Sequence, residues 1–210
     1  AWVAFKSGNY VLAQSAYEAS LELEPESPHV HFWYGGFLLR YMNAVDDALA
    51  QFEKAWALDQ KSSHVALEVA RCQMYAGRYD KAEIVLNSLA TLKDTPAIAR
   101  KQHDLHIQLY TRRADHLLAQ KDYRGAFDAM VGMREAFQQI PSTEIDLRIR
   151  QRLAKTMPTI HSCKHFLGDS ELRDDIESLE SWLSVIANQA IDAALLKPPS
   201  PSSPTTVLWR

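Results

Sequence analysis

The sequence predicts an all-α protein built from a repeated pair of helices, and three observations support this prediction. Three stretches of the chain align without gaps and place an alanine at the same point, at Ala13, Ala48 and Ala82. Successive alanines are 35 and then 34 residues apart, which is the length of one helix pair with its turns. The chain has only seven glycines in 210 residues, few for a fold rich in β-hairpin turns. The aligned stretches are 7–25, 42–60 and 76–94.

The second helix of each pair carries the repeated residues. Ala13, Tyr17 and Ser20 are spaced i, i+4 and i+7, so they share one helix face. The small residue lets a neighbouring helix approach, and the large residue one turn later fills the gap beside it. A fourth copy, at 120–137, repeats the pattern with Ala126. The turns that precede this helix fall at Gly8, Asn43, Gly77 and Lys121.

Such a helix pair cannot bury its apolar face alone, so we expect neighbouring pairs to stack into a solenoid. The pattern resembles the tetratricopeptide repeat family over roughly residues 1–140. The residues that carry the resemblance are, from copy one to copy four, Gly8, Tyr10, Ala13, Tyr17 and Pro25; Phe32, Gly36, Leu39, Ala48, Phe52 and Ala55; Ala66, Ala70, Gly77, Tyr79 and Ala82; and Tyr110, Ala114, Tyr123 and Ala126. The resemblance implies that the first helix of each pair lines a concave groove.

Two adjacent glycines interrupt an aromatic helix in "HFWYGGFLLRY", residues 31–41. Glycine costs a helix interior about 1 kcal/mol relative to alanine, so a close contact is needed to offset it. By its position in the repeat, Gly36 is expected at the close crossing of the two helices, with Gly35 beside the same seam. A hinge at this point is the alternative.

The chain beyond the repeats predicts capping helices. We expect one helix of about 24 residues over 95–120, a helix over 141–158 that starts near Ser142 and Thr143 and stops at Pro158, and a short helix ending at Gly168. A long amphipathic helix is expected over 169–196. Its apolar stripe is Leu172, Ile176, Leu179, Leu183 and Ile186. The predicted domains are a repeat array (1–140), capping helices (141–196) and a flexible Pro/Ser-rich tail (197–210).

Composition limits the partners that the sequence predicts. The formal net charge is −3, which gives no reason to expect nucleic acid or an anionic membrane surface as a partner. No apolar run approaches the length of a membrane span, and no signal-peptide pattern opens the chain. The two cysteines do not form a disulfide framework, so a cytoplasmic location is expected. Because Ala1 falls inside an expected helix, the chain looks like part of a longer protein.

The sequence contains no glycine-rich phosphate loop, no nucleophile elbow and no paired-carboxylate motif, so we predict neither enzymatic activity nor a cofactor. The closest approach to a metal site is "HSCKH", in which His161 and His165 would share a helix face. Cys163 would then point elsewhere and a fourth ligand is not evident. Solvated or core-edge histidines are therefore expected rather than a metal site.

The groove implied by the resemblance is the better candidate for function. Exposed aromatic side chains and arginines are favoured at the centres of protein interfaces. The expected partner-binding residues are Trp2, Phe5, Trp33, Phe37, Arg40, Tyr41, Arg71 and Tyr75. The expected partner is a protein or peptide segment. The Lys/Asn/Lys/Arg set with which some members of the family clamp chaperone tails is absent.

Two alternatives remain open at this stage. The second-ranked function is a C-terminal sensor or oligomerisation arm of a larger enzyme or signalling NTPase whose catalytic domain lies upstream, with upstream domains of the same polypeptide or a second copy as partner. Separately, an upstream repeat or the C-terminal helices curling back would cover the aromatic side chains of the groove.

Overall fold

The computed structural model describes residues 9–89, 95–168 and 171–195, and it confirms the all-α repeat solenoid. Trp2, Phe5, Gly8 and the tail at 197–210 lie outside the described residues. The helices are α1 (Tyr10–Leu23), α2 (Pro28–Phe37), α3 (Val45–Leu58), α4 (Ser63–Tyr75), α5 (Tyr79–Leu89), α6 (Pro96–Ala119), α7 (Tyr123–Gln138), α8 (Leu147–Ala154), α9 (Met157–Leu167) and α10 (Arg173–Leu195). A π-helical turn (Leu38–Met42) continues α2, and a 3-10 turn (Ser142–Glu144) precedes α8.

The turn inside each repeat is fixed by one residue in the left-handed region. Asn43, Gly77 and Lys121 have φ angles of 52°, 73° and 64°. Each stands five residues before the recurring alanine of its copy, as the alignment of the copies predicts. Glycine and asparagine adopt this conformation readily, whereas Lys121 adopts it at a steric cost that the turn imposes.

The repeated positions form the core of the solenoid. Ala13, Ala48, Ala82 and Ala126 are each 0% exposed. The large residues one turn later, Phe52, Leu86 and Met130, are at most 1% exposed, and Tyr17 of copy one packs against the core that contains Phe52 and Leu86. The small residue therefore permits the close helix crossing, and the large residue fills the space beside it.

Helix α6 belongs to two hydrophobic cores at once. Its 24 residues confirm the predicted long helix. Leu105 and Leu109 pack into the first core, with α1 to α5, whereas Ile107 and Ala114 pack into the second core, with α7 to α10. Tyr110 packs against both cores, and its hydroxyl donates a 2.5 Å hydrogen bond to Glu83 on α5. The fourth repeat thus shares its core with the C-terminal helices.

The C-terminal helices pack as a cap, with one correction to the expected boundaries. The stripe from Leu172 to Ile186 is buried as predicted, with Leu172 directly before α10 and the other residues within it. The prediction of one helix over 141–158 is wrong, because α8 runs only over Leu147–Ala154. The side chain of Asp146 caps α8 by accepting a hydrogen bond from the Ile149 amide. Pro158 lies in the first turn of α9. A proline is tolerated there because the amides of a first helical turn have no partner within the helix.

Polar contacts tie this cap to α6. Arg152 on α8 pairs with Asp104, and the hydroxyl of Thr159 on α9 donates a 3.1 Å hydrogen bond to Asp115. Thr159 is only 3% exposed, so its bond to Asp115 satisfies a buried polar group. In the described part of the chain, none of the helices combines the length and the apolar character that crossing a bilayer demands.

Both cysteines should resist modification in the native protein. Cys72 lies in the first core and Cys163 in the second, and each is 0% exposed. Burial raises the pKa of Cys72 to about 12 and that of Cys163 to about 11, so little reactive thiolate exists at neutral pH. We expect iodoacetamide to label neither thiol in buffer and both in guanidinium chloride, as measured by mass spectrometry. Rapid labelling of either thiol in buffer would contradict this packing, and a Cys72→Ser variant would show which core had opened.

Candidate partner-binding surface

The first helix of the second repeat contains one extra residue. The buried residues of this segment include His31, Tyr34, Gly35 and Leu38. The same pattern of burial recurs 35 positions later, at Ala66, Val69, Ala70 and Gln73. The turn residues Asn43 and Gly77 are only 34 positions apart. The π-helical turn absorbs the difference, since the amide of Asn43 donates to the carbonyl of Leu38 five residues earlier.

This extra residue corrects the expected roles of the two glycines. A methyl group at Gly35 would lie 3.1 Å from two ring carbons of Phe52 and 3.2 Å from the carbonyl oxygen of Ala48. At Gly36 the nearest atom would be Nη1 of Arg40, at 3.6 Å. Gly35 is therefore the residue at which α2 and α3 cross closely. The side chain of Arg40 lies back along the helix over Gly36. Counting residues back from Ala48 gives Gly36 instead of Gly35 as the crossing residue, because the count passes through the extra residue of the π-helical turn.

Phe37 is a core residue and is not available to a partner, contrary to its inclusion in the expected groove. It is 3% exposed. Its ring centroid lies 5.5 Å from that of Tyr17 and 6.1 Å from that of Tyr41. The extra residue turns this position away from the groove side of the helix and toward α1.

Tyr34 completes the same aromatic cluster. Its ring stacks on Tyr17 with centroids 5.5 Å apart, and its hydroxyl donates a 3.1 Å hydrogen bond to Glu18. Burial, followed by the hydrogen bond to Glu18, raises the pKa of Tyr34 to about 12. The cluster fastens α1 to α2 and so positions the start of the solenoid.

The other described candidates keep exposed surface on first helices. Trp33 is 54% exposed, Tyr41 43% and Tyr75 42%, and Arg40 is also exposed. The side chain of Arg71 is 31% exposed. We call this set the first-helix surface: Trp33, Arg40, Tyr41, Arg71 and Tyr75. Tyr41 also stacks on Tyr10 of α1, with centroids 5.7 Å apart.

The structure adds Arg112 of α6 to this surface. Its guanidinium carbon lies 4.9 Å from the ring centroid of Tyr75, a cation–π contact. Arg71 is one turn before Tyr75 on the same face of α4. Arg71, Tyr75 and Arg112 form what we call the arginine–tyrosine cluster. Sequence analysis missed Arg112 because it lies in the degenerate fourth copy, in which the extended first helix obscures the repeat positions.

The charge on this surface is mostly positive. Glu68 on α4 is the nearest carboxylate to Arg71, at 3.7 Å, which exceeds hydrogen-bonding distance. In the described parts of the chain, Arg40 and Arg112 make no ion pair. Two arginines on other faces are paired, Arg78 with Asp46 at 2.9 Å and Arg113 with Asp80 at 3.0 Å.

The histidines of "HSCKH" take ordinary surface roles. Nε2 of His161 lies 3.4 Å from a carboxylate oxygen of Glu180, and His165 packs edge-on against Phe166 with ring centroids 4.7 Å apart. Cys163 is buried beneath them. Within residues 9–89, 95–168 and 171–195, no group of three or more potential ligands is arranged to hold a metal ion.

Comparisons with known proteins agree with the fold. Residues 39–105 match the family model described as tetratricopeptide repeat. Curated proteins yield no significant match. Among solved structures, MamA is similar with a TM-score of 0.54 and 13% identity, over 92% of this chain and 95% of that chain. Human IFIT1, solved as a dimer with PPP-AAAA, is similar with a TM-score of 0.55 and 18% identity, over 91% of this chain but only 44% of that chain.

At these identities the two structures support only the assignment of the fold. The family model, in contrast, matches the amino-acid sequence directly. Its match begins at Leu39, inside the π-helical turn, and ends at Leu105, where α6 is still in the first core. The match therefore covers the recurring alanines Ala48 and Ala82 and the left-handed turn residues Asn43 and Gly77. Residues 39–105 are thus similar in sequence to tetratricopeptide repeats, and the described residues have an all-α solenoid fold.

Proposed function

We propose that this chain is a protein–protein interaction scaffold that binds a segment of a partner protein on the first-helix surface. Tetratricopeptide repeats generally serve binding rather than catalysis, and the described residues offer no metal cluster. The observation that carries the proposal is the exposure of Tyr75 beneath Arg112. An aromatic ring 42% exposed, with a guanidinium over one face, has the composition of an interface centre.

The proposal predicts that exposed aromatic side chains matter for binding and not for folding. We expect Tyr75→Ala and Trp33→Ala each to weaken capture of a partner from native lysate by about tenfold or more, the size of an interface hot spot. The free energy of unfolding should change by less than about 1 kcal/mol, because both side chains already contact solvent. Quantitative mass spectrometry of the captured proteins measures binding, and urea unfolding measures stability.

Ile84→Ala is the matched control. Ile84 is 69% exposed on α5, which is the second helix of its pair. The substitution therefore removes exposed apolar surface that lies outside the first-helix surface. A partner lost with Tyr75→Ala and kept with Ile84→Ala supports the proposal. Equal capture by all three variants would place binding elsewhere on the chain.

A further inference from the structure

Arginine head groups recur at an equivalent place in two successive repeats. Gly36 and Arg71 are 35 residues apart, the same offset that relates the buried residues of α2 and α4. Gly36 has no side chain, and the guanidinium of Arg40 lies over it, with Nη1 3.6 Å from the position that a methyl group would take. Arg40 thus supplies from the π-helical turn the charge that Arg71 supplies directly from α4.

A third guanidinium comes from the next first helix. Arg112 of α6 lies over the ring of Tyr75, whose own position is one turn beyond Arg71. The three successive first helices of the described solenoid therefore each bring one arginine to the first-helix surface. Arg40 and Arg112 make no ion pair in the described residues, and Arg71 pairs with Glu68 of its own helix, at 3.7 Å.

We propose that the partner segment is acidic and extended, and that its carboxylates pair with Arg71 and Arg112, with Arg40 extending the same row. This inference rests on the proposed function and specifies its partner chemistry. A guanidinium is well suited to a carboxylate because its planar donors match the two oxygens. The net charge of the chain is −3, whereas Arg40 and Arg112 carry positive charge that no carboxylate of the described residues pairs with, and an acidic segment complements this local charge.

The geometry also sets the spacing of the acidic residues. Packed helices lie about 8–10 Å apart, and an extended chain advances about 3.3 Å per residue. Helices α4 and α6 pack against each other, so they are about three residues of an extended peptide apart. Carboxylates at positions i and i+3 of the segment match Arg71 and Arg112.

The test uses two short fluorescein-labelled peptides of identical composition and measures fluorescence anisotropy with the full chain. One peptide has a glutamate at every third position, and the other has the same glutamates in one block. We expect the spaced peptide to bind more tightly. Arg71→Gln and Arg112→Gln should each weaken its binding about tenfold, as loss of a charge-assisted pair predicts. Arg124→Gln is the matched control, because Arg124 pairs with Asp128 on the exposed side of α7 and its loss should change binding less than about twofold.

Three results would overturn the inference. The peptide with its glutamates in one block could bind as tightly as the spaced peptide, and Arg124→Gln could weaken binding as much as Arg71→Gln. Binding would then depend on net charge alone. If neither peptide binds, the partner is not an acidic segment of this kind. If a labelled single-stranded oligonucleotide binds more tightly than the spaced peptide and loses affinity with Arg112→Gln, the arginines serve phosphates instead.

These failures are distinguishable from a failure of the proposed function. When no acidic peptide binds but Tyr75→Ala still abolishes capture of a protein partner, the surface is functional and only the acidic chemistry is wrong. When Tyr75→Ala leaves capture intact, the first-helix surface itself is not the binding site. Circular dichroism of each variant confirms that it is folded before either comparison is made.

Discussion

Replacing Phe37 with alanine should cost about 3–5 kcal/mol of the free energy of unfolding, the usual price of truncating a buried aromatic side chain. Phe37 is 3% exposed and contacts the rings of Tyr10, Tyr17, Tyr34 and Tyr41. No neighbouring helix can collapse into the space without separating α1 from α2. The measurement is urea unfolding followed by circular dichroism.

Trp33→Ala is the control for this prediction. Trp33 lies one turn earlier on α2 and is 54% exposed, so its truncation leaves no comparable cavity. We expect it to cost less than about 1 kcal/mol. If Phe37→Ala were as mild as Trp33→Ala, Phe37 would not be a core residue, and the role assigned to the π-helical turn would be wrong.

Alanine substitutions at the two adjacent glycines should change stability in opposite directions. At Gly35 the new methyl group would meet the fully buried ring of Phe52 at 3.1 Å and a backbone oxygen at 3.2 Å, and the backbone cannot withdraw without moving α3. Overpacking of this kind costs about 1–3 kcal/mol, which exceeds the gain in helix propensity of about 1 kcal/mol. Gly35→Ala should therefore destabilise the protein.

Gly36→Ala provides the matched comparison one residue away. Its methyl group would meet Nη1 of Arg40 at 3.6 Å, an ordinary van der Waals distance. The gain in helix propensity, up to about 1 kcal/mol, should then dominate and raise the midpoint of thermal unfolding. Stabilisation by both substitutions would show that α2 and α3 cross less closely than the structure indicates. A hinge at these glycines would instead leave stability unchanged and alter partner binding.

The repeat itself could be predicted from the sequence because packing fixes it. A helix pair that buries a small residue against its neighbour must place that residue once per repeat, so Ala48 and Ala82 mark the period directly. The turns were predictable for the same reason, since a left-handed residue must follow each first helix. The long helix α6 and the stripe of α10 follow from uninterrupted 3.6-residue periodicity.

The extra residue in the second repeat could not be placed from the sequence. The 35-residue interval between Ala13 and Ala48 showed that one residue was added, but any loop or helix between them could have absorbed it. Only the burial pattern locates it in the π-helical turn. For a similar reason Pro158 was misassigned, because a proline is compatible with the end of one helix and with the start of the next.

The sharing of α6 between two cores has a consequence for how the molecule opens. Solenoid repeats that contact only their neighbours can melt one at a time, in the manner of a one-dimensional chain of weakly coupled units. Here, opening the second core would expose Ile107 and Ala114 of α6 to water, while Leu105 and Leu109 would still hold the helix against the first core. Partly unfolded intermediates are unfavourable, because they leave one apolar face of the shared helix exposed to water. Denaturation should therefore resemble that of a single globular domain, and a partner that clamps α4 against α6 would protect the distant cap as well.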